Sequence, residues 1–355
     1  LKAVLMLVCE PLTHDPRWAP EWSVRTFLRI YVDDITIQAT GSAIFVLTAL
    51  PLLTNVLVEA MQPELAVVFE SKKTLVVASD KAIGRAVARR LSTGDGAARS
   101  EVRQLGVDYA SGRGLKTSVR RARLQAVRGR LHRYHALRRL ASRRVAARTF
   151  RVAADASLTH AADVTGVPTA LLDAYRSAAA SVVACRGRGS SRTLAMDLAP
   201  VADYDPAHRC VVGPIARCAR RAWVADLATR HQLQRLWVAT TARLRGPLLS
   251  HDHIALWKAV CGPTSALVAT LARLRWQMHS AFTWTTHLGR RVDVLTLAPL
   301  VVASLARQAT HDWLYSRVAA TQPTLSLLAG GAETQVTRRL TTGRTSTYWT
   351  GSYTH

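Results

Sequence analysis

Asp33 and Asp34 stand side by side between two β-prone apolar runs, Phe27-Leu28-Arg29-Ile30-Tyr31-Val32 before them and Ile35-Thr36-Ile37-Gln38-Ala39 after, with Gly41 closing the second. Adjacent carboxylates repel each other unless a cation lies between them. Hard oxygen ligands of this kind suit Mg²⁺. Two such ions about 3.5–4 Å apart drive in-line phosphoryl transfer in two-metal enzymes. The plainer alternative is a solvated turn, where Asp is common.

The flanking pattern predicts the elements that would position the pair. The two runs read as strands joined by a tight acidic turn. Ser42 to Met61 reads as a long apolar helix. Length raises the question of a membrane span, but Pro51, Asn55 and Glu59 favour a helix packed on a sheet. Next come the apolar run Leu65–Phe69, the segment Ser71-Lys72-Lys73-Thr74 and a strand from Leu75 to Ser79. Ser79-Asp80 supplies an N-cap for a helix over Lys81–Leu91. Ser92–Gly96 is a turn cluster, and Val102-Arg103-Gln104-Leu105-Gly106-Val107 reads as a further strand.

Tyr31-Val32-Asp33-Asp34 resembles the YxDD motif of reverse transcriptases, with Val at the variable position. The Lys-Thr pair before the Leu75 strand is similar to that family's lysine-bearing segment. The Leu105-Gly106 strand is similar to its primer grip. Three motifs in family order cover Phe27–Gly114. The resemblance implies RNA-directed DNA polymerisation by a retroelement enzyme, with an RNA template, a DNA primer and deoxynucleotides. It implies that Asp33 and Asp34 bind Mg²⁺ or Mn²⁺, with Asp33 the stronger ligand, and that Tyr31 lies beside the primer end. Lys73, or less readily Lys72, would approach the leaving pyrophosphate and give it a proton. Either lysine also fits an ordinary solvated turn. Leu105 and Gly106 would position the primer terminus through their backbone.

The departure from the family is severe. A polymerase palm needs a further metal-binding Asp on an earlier strand, a glycine-containing nucleotide-selecting segment and fingers. Asp33 is preceded by only 32 residues, and Asp15 and Glu21 sit in no strand pattern. The chain therefore reads as the C-terminal half of a longer frame, expected not to complete the two-metal site alone. The alternative is a non-catalytic basic module that holds nucleic acid. A weaker one is a helical scaffold for another protein.

Beyond Gly114 the character changes. Leu115, Val119, Leu124, Val127, Leu131, Leu137, Leu140 and Val145 recur at mostly helical spacing, with thirteen basic residues from Lys116 to Arg151 between them and no acid. Such a helix has no internal ion pairs. Burial on one face and anions on the other must offset the repulsion. The position corresponds to the family's thumb, so Arg113, Lys116, Arg120, Arg121, Arg128 and Arg139 are the expected contacts to the nucleic-acid backbone.

The whole chain agrees with this. Lys plus Arg is 48 against 23 acidic residues, a formal charge of +25 over 355 residues. That favours a polyanion, nucleic acid before anionic membrane. Five irregularly spaced cysteines without a CxxC argue against a disulfide framework and for an intracellular compartment, nucleus or cytoplasm. The spacings of His208, Cys210, Cys218 and His231 match no standard zinc pattern. Nothing at the N-terminus reads as a secretory signal.

From Thr159 onward the pattern is helical: Pro168–Arg176, Ile215–Leu227, Leu233–Leu244, His253–Val260, Ser265–Arg275, Pro299–Ala306 and Asp312–Val318. Trp223, Trp237, Trp257, Trp276, Trp284 and Trp313 are expected to pin the packing, with base stacking the alternative for one or two. The expected fold is α+β, mostly α: an irregular segment 1–26, an incomplete palm over 27–114, a basic thumb-like helix over 115–158, a helical region over 159–330 and a disordered tail over 331–355.

Overall fold

A computed structural model describes residues 26–31, 34–65, 69, 74–92, 97–99, 101–104, 107–110, 114–184, 191–197 and 205–321. These residues are mostly helical with a few short strands. The chain divides into two units, Leu1–Lys116 and Thr117–His355.

In the first unit, β1 (Thr26–Tyr31) pairs antiparallel with β2 (Asp34–Ala39), from Thr26 opposite Ala39 to Tyr31 opposite Asp34. Side chains alternate across such a ladder, so Ile35 and Ile37 share a face with Leu28, the cross-strand partner of Ile37. That face rests on Leu53, Leu57 and Met61 of α1 (Ala43–Leu65), which recur every four residues. Another side of α1, Val46, Leu47 and Leu50, meets Val76, Val87 and Ala88. Ala43–Pro63 is long and apolar enough to span a membrane by length and composition. In this unit it is a core helix, packed on two sides.

The second layer is a small β-α-β unit. β3 (Leu75–Val77) and β4 (Ala97–Arg99) pair in parallel, with α2 (Lys81–Ala88) between them in the chain. Asp80 caps α2 as the sequence predicts, accepting from the amides of Ala82 at 2.7 Å and Ile83 at 3.0 Å. The run Val102–Val107 is not one strand. β5 (Glu101–Gln104) and β6 (Val107–Ala110) form an antiparallel ladder closing at Gln104 opposite Val107. The period-two pattern reads the same in both strands, so the reversal was invisible in it.

The second unit begins with α3 (Ser118–Leu140) and α4 (Arg143–Phe150), not the single continuous helix expected through Arg151. Ser142 causes the break: its Oγ accepts from the Val145 amide at 3.2 Å, so it starts a new helix rather than continuing the old one. Of the predicted apolar stripe, Leu124 and Val127 are buried, whereas Leu140 is 87% exposed and Val145 43%. Both lie at the break, where the helical period is lost. Tyr134 and Phe150 take over, in an edge-on pair with centroids 5.3 Å apart.

A π-helical turn (Arg151–Asp155) leads into α5 (Ala156–Thr159), α6 (Ala162–Thr165), α7 (Thr169–Val183) and α8 (Arg192–Asp197). α9 (Pro206–Trp223) is central, packing on α6, α7, α12 (Pro263–Arg273) and α13 (Pro299–Thr321). Asp205 caps it, accepting from Ala207 N at 2.8 Å, and is also held by the buried Arg176 at 2.8 Å. α10 (Leu227–Leu249) and α11 (His253–Lys258) come before α12.

Two features differ from expectation. Residues 299–306 and 312–318 belong to the one helix α13, whose interior is polar enough to hide its continuity in sequence. A three-stranded antiparallel sheet, β7 (Gln277–Met278), β8 (Thr283–Thr285) and β9 (Arg291–Asp293), lies where no strand was expected. Its central Trp284 is fully buried near Trp276, with ring centroids 6.2 Å apart. Trp237 and Trp257 are also buried, but Trp223, at the end of α9, is 44% exposed.

Candidate nucleic-acid interface

The register of α3 sorts its arginines. Arg120, Leu124, Val127 and Tyr134 are buried, spaced four, three and seven apart along one stripe. Arg121, Arg128, Arg130, Arg133 and Arg139 are exposed. At 3.6 residues per turn, Arg121, Arg128 and Arg139 fall within about 20° of one another and span roughly 27 Å. Exposed Arg144 and Arg148 extend the basic surface onto α4. No acidic residue occurs from Tyr109 to Ala154. The surface can therefore neutralise several phosphates without first breaking ion pairs to carboxylates on its own helices.

Arg120 is a correction. It is 4% exposed, and its Nη2 donates to the Ala161 carbonyl at 3.0 Å and to the Thr165 hydroxyl. It ties α3 to α6 and is not a backbone contact for nucleic acid. Arg121 is the next residue, and the 100° turn between them decides which faces the core. Arg138, half-buried, donates to the carbonyls of Ser181 and Ala184 at 3.4 and 3.3 Å, at the C-terminal end of α7. Composition could not tell these arginines from their exposed neighbours.

The carboxylate nearest in sequence, Asp155, is buried, and its Oδ2 pairs with Arg209 at 3.2 Å. Burial raises its pKa to about 6 despite Arg209 and Arg151.

Of the residues expected at a catalytic centre, Tyr31 and Asp34 are brought together as the last pair of the β1–β2 ladder. Asp33, Lys73, Leu105, Gly106 and Arg113 lie outside the described residues. Lys116 is exposed. Among the described residues no group of three or more His, Cys, Asp or Glu is arranged to hold a metal ion. Burial pushes the thiols of Cys210 and Cys218 up to about 12, which keeps them protonated.

No protein-family model, curated protein or solved structure matches this chain.

Proposed function

We propose that residues 27–114 are part of the palm of a retroelement-type RNA-directed DNA polymerase. In this reading Asp33 and Asp34 hold Mg²⁺ or Mn²⁺, with a further carboxylate supplied from outside these residues. The observation that carries it is the register of the hairpin. The antiparallel pair ends at Tyr31 opposite Asp34, and a YxDD motif that presents metal ligands at a hairpin tip needs its tyrosine and second aspartate so paired. In the proposed chemistry the primer 3′-hydroxyl attacks the α-phosphate of the nucleotide. A divalent ion held by Asp33 and Asp34 would supply charge stabilisation to the leaving phosphates, and Lys73 would give the pyrophosphate a proton.

The test is extension of a DNA primer on an RNA template with Mg²⁺, using the chain in its natural reading frame together with whatever precedes it. Incorporation abolished by Asp33→Ala supports the proposal. The 355-residue chain alone is expected to be inactive. Absence of extension from the longer frame would leave a second reading, a non-catalytic basic nucleic-acid-binding module. What favours that second reading is the exposed arginine face of α3, which needs no metal.

A further inference from the structure

Arg273, at the end of α12, is 4% exposed. Its Nη2 donates to the Val167 carbonyl at 2.6 Å and the Thr169 hydroxyl at 3.3 Å. Its Nε and Nη1 have no acceptor and are closed off from solvent, so it can act on a ligand only through its charge. No carboxylate pairs with it among the described residues. Asp173, whose charge reaches it, is gripped by Arg317 at 2.9 and 2.8 Å. The guanidinium lies 4.3 Å from the centre of the Trp257 ring and 5.4 Å from that of Trp313. Such stacking offsets only part of the cost of a desolvated cation. Burial accordingly lowers its pKa.

This arginine forms part of the wall of a cavity of about 230 Å³, with Arg275, His287, Asp312 and Trp313 among its other walls. Charge in that wall does not balance. The Asp312 carboxylate is taken up by His287 at 3.0 Å and Gln308 at 3.0 Å, and faces His311 at 3.8 Å. Arg317, whose guanidinium also lies over Trp313, is matched by Asp173. Arg273 and Arg275 remain, two cations with no carboxylate partner among the described residues. Arg275 is exposed and adopts a left-handed backbone conformation, φ 57°, immediately after α12.

We propose that this cavity binds a phosphate group, either free phosphate or the terminal phosphate of a small monoester. A phosphate monoester carries close to two negative charges at neutral pH and three acceptor oxygens. It would balance both cations, bonding to the exposed Arg275 and meeting Arg273 through its charge alone, whereas a carboxylate would balance one. The volume lies below the range of drug-sized ligand sites and suits a headgroup of this size. The site lies wholly in the second unit and does not depend on the polymerase reading.

The test is calorimetric titration of the whole chain at fixed ionic strength in chloride. Inorganic phosphate, a nucleoside 5′-monophosphate and the corresponding nucleoside are compared. Saturable binding of phosphate, of the monophosphate or of both is expected, with no binding of the nucleoside. The monophosphate binding more tightly than phosphate would assign the site to an ester; the reverse would assign it to the free ion. Arg275→Gln, at an exposed position, is expected to weaken binding about tenfold, the loss of one charge-assisted contact. Arg273→Gln, checked for folding by circular dichroism, should do the same or more. The triple variant Arg121→Gln, Arg128→Gln, Arg139→Gln should bind phosphate as the parent does. Binding unchanged in both cavity variants, or lost in the triple variant instead, would overturn the proposal and place phosphate on the general basic surface.

Discussion

Arg90 donates its Nη1 to the backbone carbonyl of Leu47 at 2.9 Å, and Leu47 is the residue four before Pro51. Proline has no amide hydrogen, so Pro51 strips that carbonyl of its helical donor in the middle of α1. Arg90, at the end of the α2 turn, supplies the missing donor. Asn55, one turn further along α1, completes the attachment: its Nδ2 donates to Arg90 O at 3.2 Å and its Oδ1 accepts from Ser92 N at 2.9 Å. A defect in one helix has become the fastening point for another.

That relationship predicts an energetic coupling. Arg90→Ala should destabilise the first unit by roughly 1 kcal/mol, since the bond is charge-assisted but lies near solvent. In a Pro51→Ala background the Leu47 carbonyl regains its own helical donor. There the same arginine substitution should cost markedly less. Chemical denaturation of the four proteins of the cycle measures it, and equal costs in both backgrounds would contradict the account.

The two classes of arginine on α3 should separate in different assays. Replacing Arg121, Arg128 and Arg139 with Gln should flatten the log–log salt dependence of duplex binding by about 2.7, at about 0.9 per phosphate contact, with little loss of stability. Arg120→Gln should lower the thermal midpoint and leave the salt slope near its original value. A binding titration across salt concentrations, run beside thermal melts, distinguishes the outcomes.

Asp155 should make the second unit more stable toward mild acid. Its pKa is raised from 3.8 to about 6 in the folded state, chiefly by burial. Between those values the folded chain binds more protons than the unfolded one, so this residue's contribution falls as pH rises from about 4 to about 6 and is flat above. Asp155→Asn should remove that slope. Comparing denaturation midpoints of the two proteins from pH 4 to 7 checks it; parallel curves would show that Asp155 titrates normally.

His311 should act in the same direction in a higher window. Burial pulls its pKa down, but the carboxylates of Asp197 and Asp312 outweigh that and hold it at about 9, up from 6.5. The stabilisation is then complete below 6.5 and lost as pH rises through 9. Its imidazole signals should titrate well above those of a solvent-exposed histidine by nuclear magnetic resonance. His311→Gln should abolish the corresponding decline in stability between pH 6.5 and 9.

The sequence by itself determined the elements whose causes are local. Alternation on either side of Asp33-Asp34 placed the β1–β2 hairpin, because a period of two specifies a strand and its face together. Asp80 marked the start of α2, because a capping carboxylate acts within three residues. The acid-free run after Leu115 marked a basic helical surface. What the tertiary structure alone decided were matters of partner and direction. Arg120 and Arg121 are identical in type, and only the core against α6 makes the first a buried tie and leaves the second in solvent. Residues 277–293 form a sheet because Trp284 needs a buried position that three very short strands provide together, and strands of two or three residues leave no period to read. Arg273 lies 106 residues from its Val167 partner, and Arg317 is 144 residues from Asp173. No local pattern can show which cation finds a carboxylate and which is left over beside a cavity, because that depends on how distant segments compete for the same few acids in a chain with twice as many bases.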